Sequence, residues 1–217
     1  MQVTLLNFTP NPEKMVAQAA RLCYSPQIST DLPPERVPSL ILEVVKRGHE
    51  SVLEHVSFTF LIEGMSRAAT HQLVRHRLAS YSQQSQRWVR FAGADFILPP
   101  SIEQNPRAKI LFEELVERSR DTYQELINLG TPREDARYCF IQAVASDLML
   151  TANARELLHI FRLRLCNRAQ WEIREGAHLM LEAVRIVAPT IFESAGPPCA
   201  TGVCPEGNKG CGHPWKK

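Results

Sequence analysis

Apolar and polar residues follow two different periods along this chain of 217 residues. In residues 55–63, HVSFTFLIE, alternate residues from Val56 to Ile62 are apolar, with Ser57 and Thr59 between them. This alternation is typical of a half-buried strand. The strands predicted in this way cover residues 1–8 (MQVTLLNF), 55–63 and 147–152 (DLMLTA), and a short hairpin is predicted at residues 87–100.

Most of the remaining chain has the spacing of amphipathic helices, in which apolar residues recur every three or four positions. The first predicted helix has Pro12 near its start, where proline is tolerated, and Met15, Ala19 and Leu22 on one face. Gly48 is predicted to end the second helix. The predicted helices cover residues 11–24, 39–48, 65–77, 106–129, 132–144, 153–165 and 168–187.

The order of these elements limits the fold. Strands and helices interleave without a regular alternation, and no glycine-rich phosphate loop follows a strand. A doubly wound nucleotide-binding fold is therefore not expected. The sequence contains no internal repeat and no low-complexity segment, so one domain is expected, and any bound nucleotide must be held by side chains.

Two polar residues break the pattern of the helix predicted at residues 65–77. Met65, Ala68 and Ala69 mark its apolar stripe, and Gln72 and His76 continue that stripe at about 100° per residue. One interpretation is a core histidine and a buried amide, each hydrogen-bonded to its surroundings. The other is a binding site into which both side chains point.

A similar break occurs in the helix at residues 153–165. Asn153 is its predicted N-cap, and Glu156 follows with the spacing of a capping box. Leu157 and Phe161 define its apolar face, and Arg164 projects within that face. Arg164 either extends along apolar surface to reach water or contacts an anionic ligand, because its charge cannot be removed by deprotonation. The opposite face carries Arg155, His159 and Arg162.

Residues 75–87, RHRLASYSQQSQR, are too polar for a core and predict a solvated loop or a polar pocket. Arginine outnumbers lysine in the chain and occurs in two clusters. Guanidinium groups suit bidentate binding of phosphate or carboxylate, so a phosphorylated small molecule is expected. The clusters are Arg75, Arg77, Arg87 and Arg90, and Arg155, Arg162, Arg164 and Arg168.

Composition adds limits on partners and location. The chain is 44% hydrophobic and 22% charged, with a net charge of +2, which is typical of a globular protein and does not favour nucleic-acid binding. No apolar stretch is long enough to span a membrane, and no signal sequence follows Met1. A cytoplasmic location without membrane association is therefore expected.

The C-terminal residues 196–217 are rich in glycine, proline and cysteine. Four side chains there could close a tetrahedral Cys₃His zinc site, but the common C-x₂-C spacing is absent. A flexible or simply packed tail is the favoured interpretation, and no metal is expected elsewhere. The candidate zinc ligands are Cys199, Cys204, Cys211 and His213.

RHRLASYSQQS resembles the signature of the flavin-dependent thymidylate synthases, an RHR triplet followed after seven residues by a serine, here Ser85. Three further segments resemble the same family: RGHESVLEHVSFTF, GTPREDAR and TANARELLHIFRLRLCNRAQWEI. The resemblance covers roughly residues 1–190 and implies an α+β fold with a mainly antiparallel sheet flanked by helices. It also implies a single catalytic domain at residues 1–195, assembled as a homotetramer with sites between subunits.

The reaction implied by the resemblance is the reductive methylation of dUMP to dTMP. Methylenetetrahydrofolate would donate the carbon, NADPH would supply reducing equivalents through FAD, and tetrahydrofolate would be released. The implied FAD contacts are Ser51, Arg75, His76, Arg77, Gln83, Asn153, Arg155 and His159. The implied dUMP contacts are Gln72, Arg75, Gln83, Gln84, Ser85, Gln86, Arg87, Arg137 and Arg164.

Three of these positions depart from the commonest family residues, although each substitute can still hydrogen-bond. Ser51 stands where threonine is common, Gln83 where some members have glutamate, and His159 where others have asparagine. The roles of His49 and His55 stay open between ligand contact and packing.

Arg164 suits the chemistry as a catalytic residue, because alkylation at carbon 5 requires negative charge to be stabilised on the N3/O4 side of uracil. Ser85 is not expected to be a nucleophile, since its neighbours offer guanidinium groups rather than a base. An RNA- or phosphate-binding module and a purely structural helical protein are the alternatives. The near-neutral charge disfavours the first, and the inward-pointing polar residues disfavour the second.

Overall fold

The structure is a computed structural model that describes residues 1–25, 32–89 and 93–215. Its centre is a four-stranded antiparallel sheet in the order β1-β2-β4-β3. The strands are β1 (Gln2–Phe8), β2 (Ser57–Ser66), β3 (Ala79–Gln83) and β4 (Ala145–Asn153). Together with the surrounding helices, this sheet confirms the predicted α+β class.

The strands at residues 1–8, 55–63 and 147–152 are confirmed, and the buried residues Val56, Phe58, Phe60 and Ile62 form the predicted inner face of β2. β3 was not predicted. It pairs with β4 while alternating between half-buried and exposed residues, so its polar composition hides a strand. Its backbone hydrogen bonds to β4 replace the side-chain burial that usually reveals a strand.

The helices pack on the sheet and on one another. They are α1 (Pro12–Leu22), α2 (Arg36–Lys46), α3 (Arg67–Leu73), α4 (Pro100–Glu103), α5 (Pro106–Asn128), α6 (Arg133–Ala136), α7 (Ala154–Arg164) and α8 (Trp171–Val187). Short 3₁₀ turns occupy Glu50–His55, Arg137–Cys139, Pro198–Ala200 and Gly207–Lys209. In the described part of the chain, no helix is long and apolar enough to cross a membrane.

The predicted face of the first helix is wrong. Val16, Ala17 and Ala20 are buried, whereas Met15 and Leu22 are exposed. Both sets have helical spacing, and α1 packs against α2 and the 3₁₀ turn through the set that contains the two alanines. Small side chains allow these backbones to approach closely.

The helix predicted at residues 65–77 is shorter than expected at both ends. β2 continues through Gly64 to Ser66, and α3 ends at Leu73, so residues 74–77 are not helical. Gly64 has a positive φ of 69° at a register shift in β2, and its N–H donates to the Asp147 carboxylate at 2.9 Å. Ser66 then caps α3 by accepting from Ala69 N–H. The rotated helix leaves Ala68 exposed, contrary to the prediction, while Met65 and Ala69 are buried.

The helix predicted at residues 132–144 is also wrong beyond its first turns. α6 and a 3₁₀ turn cover residues 133–139, and the following backbone bonds to other elements: Ala68 N–H donates to Gln142 O and Arg67 N–H to Val144 O. Val144 also bridges to Phe96. These tertiary bonds offset the loss of helical bonds. The hairpin predicted at residues 87–100 includes residues 90–92, which lie outside the described part. Within the rest of that stretch, Phe96 forms the isolated bridge to Val144.

Two apolar clusters hold the fold together. The main one lies between the sheet, α1, α2, α7 and α8, and a smaller one around Tyr123 and Val144 lies under α5. The C-terminal segment joins the main cluster, because Trp215 is buried there and stacks on His178 at 5.9 Å between ring centroids. The tail is therefore packed rather than free.

Candidate functional site

The two helices that break their apolar pattern meet at Arg164. Its Nε donates to Nε2 of His76 at 2.9 Å, and its Nη2 donates to the backbone carbonyl of Gln72 at 3.0 Å. Arg164 ends α7, and the other two residues belong to α3 and the turn that follows it. The two helix ends that break their patterns therefore lie together within one chain.

His76 is the most buried of these polar side chains, with 4% of its surface exposed. Its Nδ1 faces the Glu156 carboxylate at 3.5 Å, and its ring lies edge-on to His159 with centroids 5.6 Å apart. Burial, with help from Arg164 and His159, lowers the pKa of His76 from 6.5 to about 4. The imidazole is therefore neutral near pH 7.

The predicted capping box of α7 forms only in part. Asn153 caps the helix by accepting from Glu156 N–H at 2.8 Å, as predicted. The Glu156 carboxylate does not reach back to Asn153 but points inward to His76, where burial raises its pKa. A residue with the spacing of a cap is therefore part of the site.

Tyr81 ties strand β3 to the same place. Its hydroxyl donates to the carbonyl groups of Leu73 at 2.9 Å and His76 at 3.1 Å, and burial raises its pKa. These carbonyls belong to the end of α3, where backbone acceptors lack helical partners. The tyrosine thus fixes the turn that carries His76.

A cleft of about 530 Å³ opens beside this buried group. Arg155, His159 and Arg162 line one wall from the exposed face of α7, and Asn153 lies at the edge. Across the cleft, Glu50 and Glu54 of the 3₁₀ turn both pair with Arg155. The hydrogen bond to Glu54 raises the pKa of Arg155. Leu78, with 77% of its surface exposed, lies at the rim.

A second cavity of about 440 Å³ lies between α3 and the segment after α6. Arg67, His71, Gln86 and Arg137 line it. Burial and the charge of the neighbouring Arg137 lower the pKa of Arg67, and both guanidinium groups line this cavity. Gln86 is 9% exposed, and its Nε2 has no hydrogen-bond partner among the described residues. An anion would relieve the repulsion and accept from that amide.

The remaining predicted contacts are spread around these two cavities. Gln83 donates to Ser146 Oγ at 3.2 Å, and Ser85 Oγ accepts from Arg87 N–H at 3.2 Å. Arg87 forms an ion pair with Glu134 and lies over the Trp88 ring. Gln84 is half-buried, and the side chains of Ser51, Arg75 and Arg77 are exposed.

The candidate zinc ligands of the tail do not gather into a site. Among residues 1–25, 32–89 and 93–215, no three His, Cys, Asp or Glu side chains are placed to hold a metal ion. Instead, Cys199 Sγ accepts from the backbone N–H of Trp215 at 3.5 Å, and Cys211 Sγ bonds the carbonyl of His213 at 3.1 Å. The sulfur atoms are used in packing the tail.

A sequence model of the family described as thymidylate synthase complementing protein matches residues 4–190. The chain belongs to this family. It is 50% identical over 218 residues to the flavin-dependent thymidylate synthase of Geobacter sulfurreducens, covering 98% of this chain and 94% of that protein. It is 47% identical over 232 residues to that of Clostridium tetani, covering 98% and 93%. With the enzyme of Pyrococcus furiosus the identity is 42% over 219 residues, covering 95% and 90%.

Membership of the thymidylate synthase complementing family confirms the resemblance read from the four motifs. Both cavities are also lined by polar residues that the sequence pattern does not predict as site residues. Arg67 and His71 are four residues apart on α3, a spacing that places both side chains on one face of the helix. Glu50 and Glu54 have the same spacing in the motif RGHESVLEHVSFTF, whereas no sequence signal distinguishes Glu156 from a cap.

Proposed function

We propose that this chain is a flavin-dependent thymidylate synthase, which converts dUMP to dTMP with methylenetetrahydrofolate as carbon donor and NADPH as reductant through FAD. The names of its relatives support this proposal. The observation that carries it is the convergence of Arg164 on His76 and Gln72 beside a polar cleft lined by Arg155, Arg162 and three carboxylates. A structural helical protein would have no need of a half-buried arginine held in this way.

The cleft beside α7 suits FAD. Arg155 and Arg162 present two guanidinium groups for a pyrophosphate, and Asn153 and His159 add neutral hydrogen-bonding groups. Arg155 would exchange its pairing with Glu50 and Glu54 for the phosphates of the ligand. FAD, when bound there, supplies the redox chemistry and the transfer of the carbon unit. The other implied FAD contacts, Ser51, Arg75 and Arg77, are exposed near the cleft's elements and remain part of this proposal.

The cavity lined by Arg67, Arg137 and Gln86 suits the phosphate of dUMP. Two guanidinium groups without a described carboxylate partner, together with a buried amide that lacks an acceptor, form a set of donors for a dianion. In this scheme Ser85 and Arg87, which neighbour Gln86, complete the phosphate site, as the family resemblance implies. Selectivity for the nucleotide over the nucleoside would follow from this cavity.

Arg164 would act on the base. As a fixed cation, it stabilises the negative charge that develops on the N3/O4 side of uracil when carbon 5 becomes nucleophilic. Its position is set before substrate arrives, because His76 and the Gln72 carbonyl already accept two of its donors. The protein need not reorganise at the moment of reaction, which is the source of the rate gain.

A homotetramer with sites between subunits is part of the proposal. Large apolar side chains are exposed on several elements, including Leu78 at the rim of the cleft and Ile110, Leu111 and Leu115 on α5. Such surfaces commonly mark contacts with other chains. A cytoplasmic location is proposed as well, since all six cysteines are free thiols.

Two measurements test the function. Purified protein should show flavin absorption bands, either directly or after incubation with FAD. It should also form dTMP from dUMP only when methylenetetrahydrofolate and NADPH are both present. A protein that takes up no flavin and forms no dTMP, while binding single-stranded RNA, would favour the nucleic-acid-binding alternative. Light scattering would report the number of subunits.

A further inference from the structure

We propose that His76 and Glu156 are positioning residues that hold the Arg164 guanidinium in a single orientation for the reaction. The inference deepens the proposed function and rests on it, since it assigns roles around Arg164. It departs from the family resemblance, which implies that His76 contacts FAD. The observation that carries it is a continuous buried line of polar contacts from Glu156 through His76 to Arg164.

The tautomer of His76 follows from this line of contacts. Arg164 Nε is always a donor, so His76 Nε2 at 2.9 Å must be an acceptor and carries no proton. The ring proton is therefore on Nδ1, which faces the Glu156 carboxylate at 3.5 Å. A doubly protonated ring would point an N–H at the Arg164 N–H and break the contact.

The Glu156 carboxylate also helps to balance the positive charge of Arg164. Arg164 is half-buried, and an isolated cation in such a place is costly. Glu156 is the buried carboxylate on the far side of His76, with a side chain 6% exposed against 3% for the histidine. Its negative charge acts on the cation through a neutral ring, which polarises the Nε2 lone pair toward Arg164 without a direct ion pair.

Three further contacts around Arg164 and His76 agree with a fixed geometry. The backbone carbonyl of Gln72 accepts from Nη2 of Arg164, and the Tyr81 hydroxyl donates to the carbonyl of His76. The His159 ring packs edge-on to the His76 ring. Within the described part of the chain, Nη1 of Arg164 has no hydrogen-bond partner. Two of the five guanidinium N–H groups are thus used for orientation, and the others are left for a ligand.

The alternative role for the His76 imidazole is a direct contact with FAD, which the burial of the side chain disfavours. The side chain of His76 is 3% exposed, and both ring nitrogens face protein groups. The exposed side chains of the RHR triplet are those of Arg75 and Arg77, on either side. The two roles predict different losses when the ring is replaced.

The test compares two replacements of His76 in the full-length enzyme. His76→Gln retains an acceptor near the position of Nε2, whereas His76→Phe retains a ring without an acceptor. We expect His76→Phe to lower kcat by about tenfold to a hundredfold, on the scale of losing preorganised transition-state stabilisation. We expect His76→Gln to stay within about fivefold of wild type. KM for dUMP and the flavin content should change little in either variant.

Glu156 is tested in the same assay. Glu156→Gln keeps the side-chain volume and an acceptor but removes the charge, so its kcat should fall by less than that of His76→Phe. The kcat of Glu156→Ala should be lower than that of Glu156→Gln. Glu13→Gln is the matched control, since Glu13 is a partly buried carboxylate that accepts from the Thr190 and Ile191 N–H groups and lines neither cavity. Its kcat and KM should equal those of wild type.

A double-mutant cycle with Arg164→Ala separates the inference from the proposed function. If His76 acts through Arg164, the double variant should be no slower than Arg164→Ala alone. If the reductions in kcat of the two single variants multiply in the double variant, the positioning role is wrong. It is also wrong if His76→Phe loses flavin and regains normal turnover when FAD is added back. If Arg164→Ala itself turns over like wild type, it is the proposed role of Arg164 that fails.

A readout without catalysis is available from the tautomer. In protein with ¹⁵N-labelled histidine, comparison with His76→Gln identifies the His76 resonances. The Nδ1 signal should be that of a protonated nitrogen and the Nε2 signal that of an unprotonated one, from pH 8 down to about pH 5, above the pKa of about 4. The opposite tautomer, or a charged ring at pH 7, would contradict the geometry.

Discussion

Arg164 and His76 lie 88 positions apart in the chain, and Arg164 Nε donates to His76 Nε2 at 2.9 Å. Arg164 ends α7 and His76 lies in the turn after α3, and each is a polar residue at an apolar position of the sequence pattern that alone could be explained as a local exception. Their pairing explains both exceptions at once. Because His76 is neutral, it can accept from the guanidinium and leave the positive charge for a ligand.

Replacing Arg164 with alanine should reduce kcat by about a hundredfold or more, since it removes a preorganised donor aimed at charge that develops during the reaction. KM for dUMP should change less than kcat, because this interaction strengthens in the transition state. The measurement is steady-state dTMP formation with FAD-saturated enzyme.

Arg185→Ala provides the matched control. Arg185 is also half-buried and also donates to carbonyl groups, those of Phe192 at 3.3 Å and Ala195 at 3.5 Å, but it belongs to α8 away from both cavities. Its loss should affect stability only. Equal turnover numbers in the two variants would remove Arg164 from the mechanism.

Arg67→Ala tests the anion cavity. Losing a charge-assisted hydrogen bond should weaken dUMP binding by about 1.5–3 kcal/mol, which is roughly tenfold to more than a hundredfold in Kd. Binding of deoxyuridine, which lacks the phosphate, should be unaffected. Calorimetry with both ligands measures the difference, and Arg47→Ala at the exposed C-terminal end of α2 is the control. A loss that is equal for nucleotide and nucleoside would place Arg67 away from the phosphate.

The sequence predicts most of the elements and much of the site, for identifiable reasons. The alternation in β2 and the periodicity of α5 and α7 come from burial on one face, which residue type reports directly. Gln72, His76 and Arg164 were visible because they contradict that periodicity. What the pattern could not supply was the contact between the helices, since it depends on where α3 ends.

The misses have a common origin in tertiary bonds. β3 is formed by backbone pairing with β4, and residues 140–144 leave the helical state to bond with α3 and the segment near Phe96. Arg67 has no anomaly in its own helix, because a cation near a helix start looks like a solvated residue. Its role is apparent only beside Arg137 and Gln86, which reach the same cavity from later segments.

Stability should depend on pH through His76. Its pKa is lowered in the folded state from 6.5 to about 4, so the unfolded chain takes up the proton first as the pH falls. The stabilising contribution is therefore complete above pH 6.5 and is lost as the pH falls toward 4, by up to about 3 kcal/mol. Glu156, whose pKa is raised, acts in the opposite direction and offsets part of this loss.

Comparison with His76→Gln isolates the histidine, since glutamine does not titrate. Urea unfolding of both proteins at several pH values between 4.5 and 7.5 gives the two free energies of unfolding. The difference, wild type minus variant, should increase with pH over this range. Parallel curves would show that His76 has the same pKa folded and unfolded, and that it is not buried as a neutral ring.

Glu172 should anchor the start of α3, and with it Gln72 and the turn to His76. Its buried carboxylate accepts from the backbone N–H of Ser66 at 2.6 Å and from the Ser66 hydroxyl, which in turn caps α3. Glu172→Ala leaves that N–H buried without an acceptor, so the free energy of unfolding should fall by about 1–3 kcal/mol.

The kinetics of Glu172→Ala also distinguish a residue that supports the position of α3 from one that takes part in the reaction. Glu172→Ala should raise KM for dUMP and lower kcat together, because it displaces the whole helix rather than one donor. Glu172→Gln, which can still accept from the Ser66 N–H, should recover most of both parameters. Urea unfolding and steady-state kinetics on the three proteins provide the measurements. A Glu172→Ala enzyme with wild-type stability would mean that the Ser66 cap alone is sufficient to fix the start of α3.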